Sequence, residues 1–154
     1  MSIDPVQFRQ TLGRWPSGVT VVTMQDGEAV HGITVSAFSS LSLDPPLVGV
    51  AIGRKARAHG FLERVPRYGV SVLRSDQQYL SERFAGRPVE LADDPFERFE
   101  DLPVLRGAVA QIACTIVDRV ATGDHTLYVG RIEASRLSDD APLVYRLGAY
   151  QQLT

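Results

Sequence analysis

The stretch AVAQIACTIVDRVATGDHTLYVGRIEASRL, Ala108 to Leu137, decides the fold. AVAQIACTIVDRV and HTLYVGRIEASRL are rich in β-branched residues and free of proline, the composition of strands. ATGD between them, Ala121 to Asp124, carries a Gly-Asp pair suited to a reversal of the chain. The reading is two long strands meeting at a tight turn. Cys114 alternates there with Ile112 and Ile116, as a small core thiol would, and nothing near it in sequence lowers its pKa.

Moving outward, the pattern stays antiparallel. Val19 to Met24 is a β-branched run, QDGE (25–28) is a hairpin turn, and VHGITVSAF (30–38) is the answering strand. LVGVAI (47–52), YGVSVL (68–73) and the strand-like PLVYRLGAYQQL (142–153) add to the count. Asp4 before Pro5 is an N-cap followed by a first-turn proline, with Phe8 and Leu12 on one face and Gly13 and Pro16 as the stop. A short helix is expected over Ala58 to Val65. A second is expected in SDQQYLSERFAG (75–86), capped by Ser75 or Asp76, with Leu80 and Phe84 on one face and Gly86 at its end. The acidic run Glu90 to Asp101, with Pro95 inside it, reads as a solvated loop or a short helix. Six to eight short strands with few helices predict a mainly β protein, an antiparallel barrel with peripheral helices. Residues 1–154 suit one domain.

Composition narrows the function. A net charge of −2 argues against a nucleic-acid surface. No apolar run approaches a membrane span, and MSIDPVQFRQ is no signal peptide. A lone cysteine excludes an intrachain disulfide and suits a cytoplasmic protein. His31, His59 and His125 lack metal-ligand spacing, so no metal is expected. The G-x-G-x-x-G and Walker motifs are missing, and Ser17, Ser71 and Ser135 lack a nucleophile elbow.

The chemistry-bearing segment is HGITVSAFSSLSLDPPLVGV, His31 to Val50, which sets five hydroxyls (Thr34, Ser36, Ser39, Ser40, Ser42) before Pro45-Pro46. Such hydroxyls serve either as local turn partners or as ligand contacts, where small residues let a flat ring approach the backbone. GRKARAH (53–59) follows, with Arg54, Lys55 and Arg57 either solvated or holding a phosphate. His125, after Gly123 and Asp124, is either a turn histidine or a site residue whose tautomer Asp124 fixes.

FRQTLGRWPSGVTVVT, HGITVSAFSSLSLDPPLVGVAI, LSERFAG, GDHTLYVGRI and PLVYRLGAY resemble the short-chain flavin reductases, from about Phe8 to Tyr150. The resemblance implies an FMN-binding split barrel and a homodimer. It also implies hydride transfer from NADH or NADPH to FMN or FAD, with reduced flavin passed to a partner monooxygenase. Thr34, Val35, Ser36 and Ala37 would then run along the isoalloxazine, and Ser39 and Ser40 would sit nearer ribityl and phosphate. Lys55 and Arg57 would hold the phosphate, and Arg83 and Phe84 would lie near flavin or nicotinamide. His125 would face the nicotinamide side, with Asp124 behind it. Ala56 and Ala58 stand where relatives often carry hydroxyls, and the segment before LPVLRGA is shorter than usual. Rival readings are a split-barrel oxidase of the pyridoxamine-phosphate type and a non-catalytic flavin- or partner-binding module.

Overall fold

The structure is a computed structural model that describes residues 2–153. The chain runs through α1 (Pro5–Leu12), β1 (Ser17–Gly18), β2 (Thr20–Asp26), β3 (Ala29–Val35), β4 (Phe38–Ser42), β5 (Leu47–Gly53) and α2 (Arg57–Leu62). It continues through β6 (Arg67–Val72), α3 (Gln78–Phe84), β7 (Phe96–Phe99), β8 (Leu102–Leu105) and β9 (Ala110–Thr122). It ends with β10 (His125–Leu137), β11 (Val144–Arg146) and β12 (Ala149–Gln151).

The seven-stranded sheet has the order β3-β2-β6-β9-β10-β5-β4, and its neighbouring strands pair antiparallel. The predicted long pair, β9 and β10, lies within it and turns at Gly123, whose φ is +62°. Its two edge strands, β3 and β4, are consecutive in the chain, separated only by Ser36 and Ala37. A sheet whose edges are joined by two residues has to roll up, so the antiparallel barrel follows from this order. The expected single strand VHGITVSAF is therefore broken at Ser36–Ala37, because its halves form the two opposite edges, one paired with β2 and the other with β5.

One core fills the roll: Val22, Met24, Val50, Ile52, Tyr68, Val70 and Tyr128 are at most 1% exposed, and α2 adds Ala58, Phe61 and Leu62. A second cluster, Val19, Val21, Leu73, Leu80, Leu105 and Leu143, packs beneath α3 and the C-terminal segment. β2 is thus buried on both faces, which explains its continuous apolar run. Gly130 is required where β10 bulges, because any Cβ there would run into the buried Tyr68 hydroxyl.

Several expectations need correction. α2 begins and ends earlier than Ala58 to Val65, with Glu63 as its C-cap and Pro66 shortly beyond. Neither Ser75 nor Asp76 caps α3: Gln77 is the N-cap without a side-chain cap bond. Asp76 is instead engaged by Arg74 Nε at 2.6 Å, and the Gln77 side chain bonds Arg74 N and Arg106 O. Gly86 does end the helix, at φ +94°. The acidic run is neither wholly loop nor helix, since Phe96–Phe99 pairs with β8 as a hairpin. Its alternation explains why: Phe96 meets Phe84 edge-on at 5.6 Å, and Glu97 reaches Arg136 at 2.8 Å. Short segments of this kind raise the count to twelve strands among the described residues. α1 is capped as read, Asp4 Oδ1 accepting from Val6 N at 2.7 Å, but Phe8 and Leu12 remain exposed.

Candidate active site

The break between the edge strands meets the start of β10. β5 pairs with β10 so that Gly53 lies opposite His125, while Ala51 N donates to Ala37 O at 3.0 Å. A pocket of about 200 Å³ results, lined by the consecutive run Ile33 to Ala37, by Ala51 to Gly53 and by His125. Five residues singled out in the sequence (Thr34, Val35, Ser36, Ala37 and His125) are thus brought together. The carbonyls of Ser36 and Ala37 accept from Phe38 N and Ala51 N, and their own N–H groups donate to no backbone partner among the described residues, so they are available to a ligand. Their small side chains are exposed, so backbone is within reach of a flat group.

His125 is half-buried, and its Nδ1 lies 2.7 Å from Asp124 Oδ1. The hydrogen bond from His125 holds the Asp124 carboxyl below its ordinary range. A carboxylate accepts only, so the neutral imidazole donates from Nδ1 and keeps its lone pair at Nε2. Nε2 faces Gly53, where a Cβ would lie 3.8 Å away. The free nitrogen therefore sits beside the pocket. Arg54 N donates to Asp124 O at 3.1 Å, tying this turn to the basic loop.

Thr34 and Ser36 also line a larger cleft of about 490 Å³. Its other walls are α3, through Gln78, Ser81 and Glu82, and the C-terminal hairpin, through Tyr145 and Tyr150. Sequence reasoning followed the Leu80/Phe84 face of α3, which packs the core. The missed signal is the adjacent face, 78, 81, 82 and 85, at the same helical spacing. Tyr145 and Tyr150, in the C-terminal segment read as strand-like, line the cleft.

The remaining sequence candidates lie outside the small pocket. Ser39 and Ser40 are exposed on β4, and the Ser39 hydroxyl donates to Ser40 O at 3.1 Å. Lys55 is exposed in the turn after β5, and Arg57 opens α2 with its guanidinium 5.9 Å from the Phe61 ring centroid. Ala56 caps α2 without a side-chain bond. Arg83 Nη1 donates to Val89 O at 2.8 Å, and Phe84 packs on Gly32; neither lines a wall of either cavity. Cys114 is fully buried, and burial pushes its thiol up to about 12. No helix among the described residues is long and apolar enough to cross a membrane.

With this geometry in place, comparisons with known proteins are informative. The model of the flavin reductase-like domain matches residues 12–154. An NADH-dependent flavin reductase from Rhodococcus sp is 42% identical over 154 residues, covering 98% of this chain and 88% of that protein. The reductase component of 4-hydroxyphenylacetate 3-monooxygenase from Thermus thermophilus is 40% identical, covering 95% of each. The solved structure of flavin reductase PheA2 in its native state superposes with a TM-score of 0.95 at 41% identity, covering 99% of both chains. The rolled sheet with its split edge, the pocket at that split and these matches agree: the chain belongs to the flavin reductase-like domain family.

Proposed function

We propose that this protein is an NADH:flavin oxidoreductase that supplies reduced flavin to a partner monooxygenase. The observation that carries the reading is the pocket that joins the Ser36–Ala37 break to the His125–Asp124 pair. A flavin fits what the chain offers there: exposed small residues, free backbone N–H groups and hydroxyls on one edge. When bound, the flavin supplies the acceptor for the hydride of reduced nicotinamide.

The chain's own residues then bind, orient and stabilise charge. Thr34, Val35, Ser36 and Ala37 run along the ring, and the N–H groups of Ser36 and Ala37 donate to negative charge that grows on it. Ser39 and Ser40 follow toward the ribityl chain, and Lys55 and Arg57 take the phosphate, with no hydroxyl from Ala56 or Ala58 to help. His125 Nε2 contacts the nicotinamide side and Asp124 sets its tautomer. Arg83 and Phe84 support the α3 wall from behind. No protein nucleophile is needed.

We further infer a homodimer, supported by exposed apolar side chains on and near α1: Phe8 and Leu12 at 52% and Trp15 at 77%. A cytoplasmic location fits a reductant such as NADH. The test is consumption of NADH by purified protein with FMN or FAD added, NADPH run in parallel, followed by the dihydronicotinamide absorbance. Rapid flavin-dependent loss with NADH supports the reading. Folded protein that holds flavin yet never consumes a nicotinamide overturns it in favour of an oxidase or a binding module.

A further inference from the structure

The larger cleft has three walls, and one residue, Ser81, joins them through its main-chain carbonyl and its hydroxyl. Thr34 Oγ1, at the end of β3, donates to Ser81 O on α3 at 2.6 Å. The Ser81 hydroxyl shares a hydrogen bond of 2.8 Å with the Tyr150 hydroxyl on β12. Tyr150 in turn meets Tyr145 edge-on at 5.3 Å, so the aromatic wall moves with it. Ser81 is 1% exposed while Thr34 and Tyr150 are partly buried, so both bonds are shielded from water on the Ser81 side only.

The C-terminal hairpin needs such a fastening. β11 and β12 belong to a small sheet with the two-residue β1, separate from the seven-stranded sheet. β12 is the outer strand of that sheet, paired only with β11. The Ser81–Tyr150 bond therefore ties the outermost strand of the hairpin to the α3 wall. His125 is not among the residues of this cleft, so its width can change without moving the imidazole.

Resting on the function proposed above, we propose that Ser81 is a positioning residue that sets affinity for the reduced nicotinamide donor, by holding the Tyr150 wall and Thr34 at a fixed spacing across this cleft. The polar groups at its rim, Gln78, Glu82 and Arg87, suit the ribose hydroxyls of such a donor.

Ser81→Ala and Tyr150→Phe each delete the same hydrogen bond and leave both rings in place. Each is expected to raise the KM for NADH roughly fivefold to tenfold, the effect of one net hydrogen bond. The kcat and the KM for flavin stay within about twofold, because the pocket at the strand break is untouched. The double variant is expected to be no worse than either single, since both remove one interaction. Ser81→Thr, which keeps the hydroxyl, restores the NADH KM. An unchanged NADH KM, additive losses, or a fall in kcat alone would overturn the proposal. If Ser81→Ala does not fold, Tyr150→Phe gives the same reading. Wild-type protein that consumes no NADH refutes the proposed function itself, whereas active wild type with unaltered variants refutes only the role of Ser81.

Discussion

Gly32 lies beneath α3, and replacing it with alanine tests how firmly that helix is seated. The new Cβ would stand 2.9 Å from both Cδ1 and Cε1 of Phe84 and 3.4 Å from Val21 Cγ1. Relaxed carbon contacts need about 3.5–4.0 Å, so the ring must retreat by roughly 0.6 Å or more. It cannot retreat freely, because it also meets Phe96 edge-on with centroids 5.6 Å apart. Overpacking of this kind costs about 1–3 kcal/mol. For a chain of this size each kcal/mol lowers Tm by about 2–4 °C, so Gly32→Ala should lose about 2–12 °C. Thermal unfolding followed by circular dichroism measures this directly. α3 also forms one wall of the larger cleft, so the NADH KM should rise while the flavin KM holds. Trimming the ring in the double variant with Phe84→Leu should recover part of the loss, as coupled neighbours do. A Tm drop below about 1 °C, or strictly additive losses in the double variant, would refute the packing account.

Three further outcomes follow from the geometry. Asp124→Asn should lower kcat roughly threefold to tenfold with little change in Tm, because the carboxylate orients His125 from an almost fully exposed position; parallel kinetics and thermal melts check it. Cys114, buried and with its thiol pushed up to about 12, should resist aromatic disulfide reagents in the folded protein and react fully in denaturant. The His31 imidazole is held below its ordinary 6.5, first by burial and then by the Arg57 charge. The unfolded chain therefore gains a proton that the folded chain resists, so stability falls as pH drops through about 6.5 toward the lowered value. Unfolding midpoints measured across that window should decline less steeply in His31→Phe.

What could be read from the sequence was whatever local chemistry dictates. The β9–β10 pair was legible because long β-branched runs around a Gly-Asp turn admit few other structures. Gly86 was legible because only a residue free to take positive φ ends a helix that way. The capping of α3 was not, since Ser75 and Asp76 are good caps in isolation and the Arg74–Asp76 ion pair outcompetes that role. β7 was hidden because its charges dominate the composition, while Phe96 and Glu97 find their partners, Phe84 and Arg136, only in the folded chain. In the site, the structure brings Thr34 to Ala37 and His125 to one pocket, a clustering that no spacing along the chain announces. Arg83 and Phe84 line neither cavity, because a helix presents neighbouring residues to different surroundings. Ser81, which touches all three walls of the cleft, carries no motif. Its role exists only where β3, α3 and the C-terminal hairpin converge.

The two edges of the large sheet are joined by two residues, and this bears on how such a protein can diversify. Closing the roll at Ser36–Ala37 costs little loop entropy, because the strands to be brought together are already neighbours along the backbone. An insertion there would separate the edges, whereas the cleft walls come from α3 and a terminal hairpin that lie outside the seven-stranded sheet. The position proposed for the ring is thereby tied to the closure of the sheet, and the surfaces proposed to choose its companion molecules are free to vary. A new hydride donor could be accommodated by altering those outer elements without redesigning the barrel.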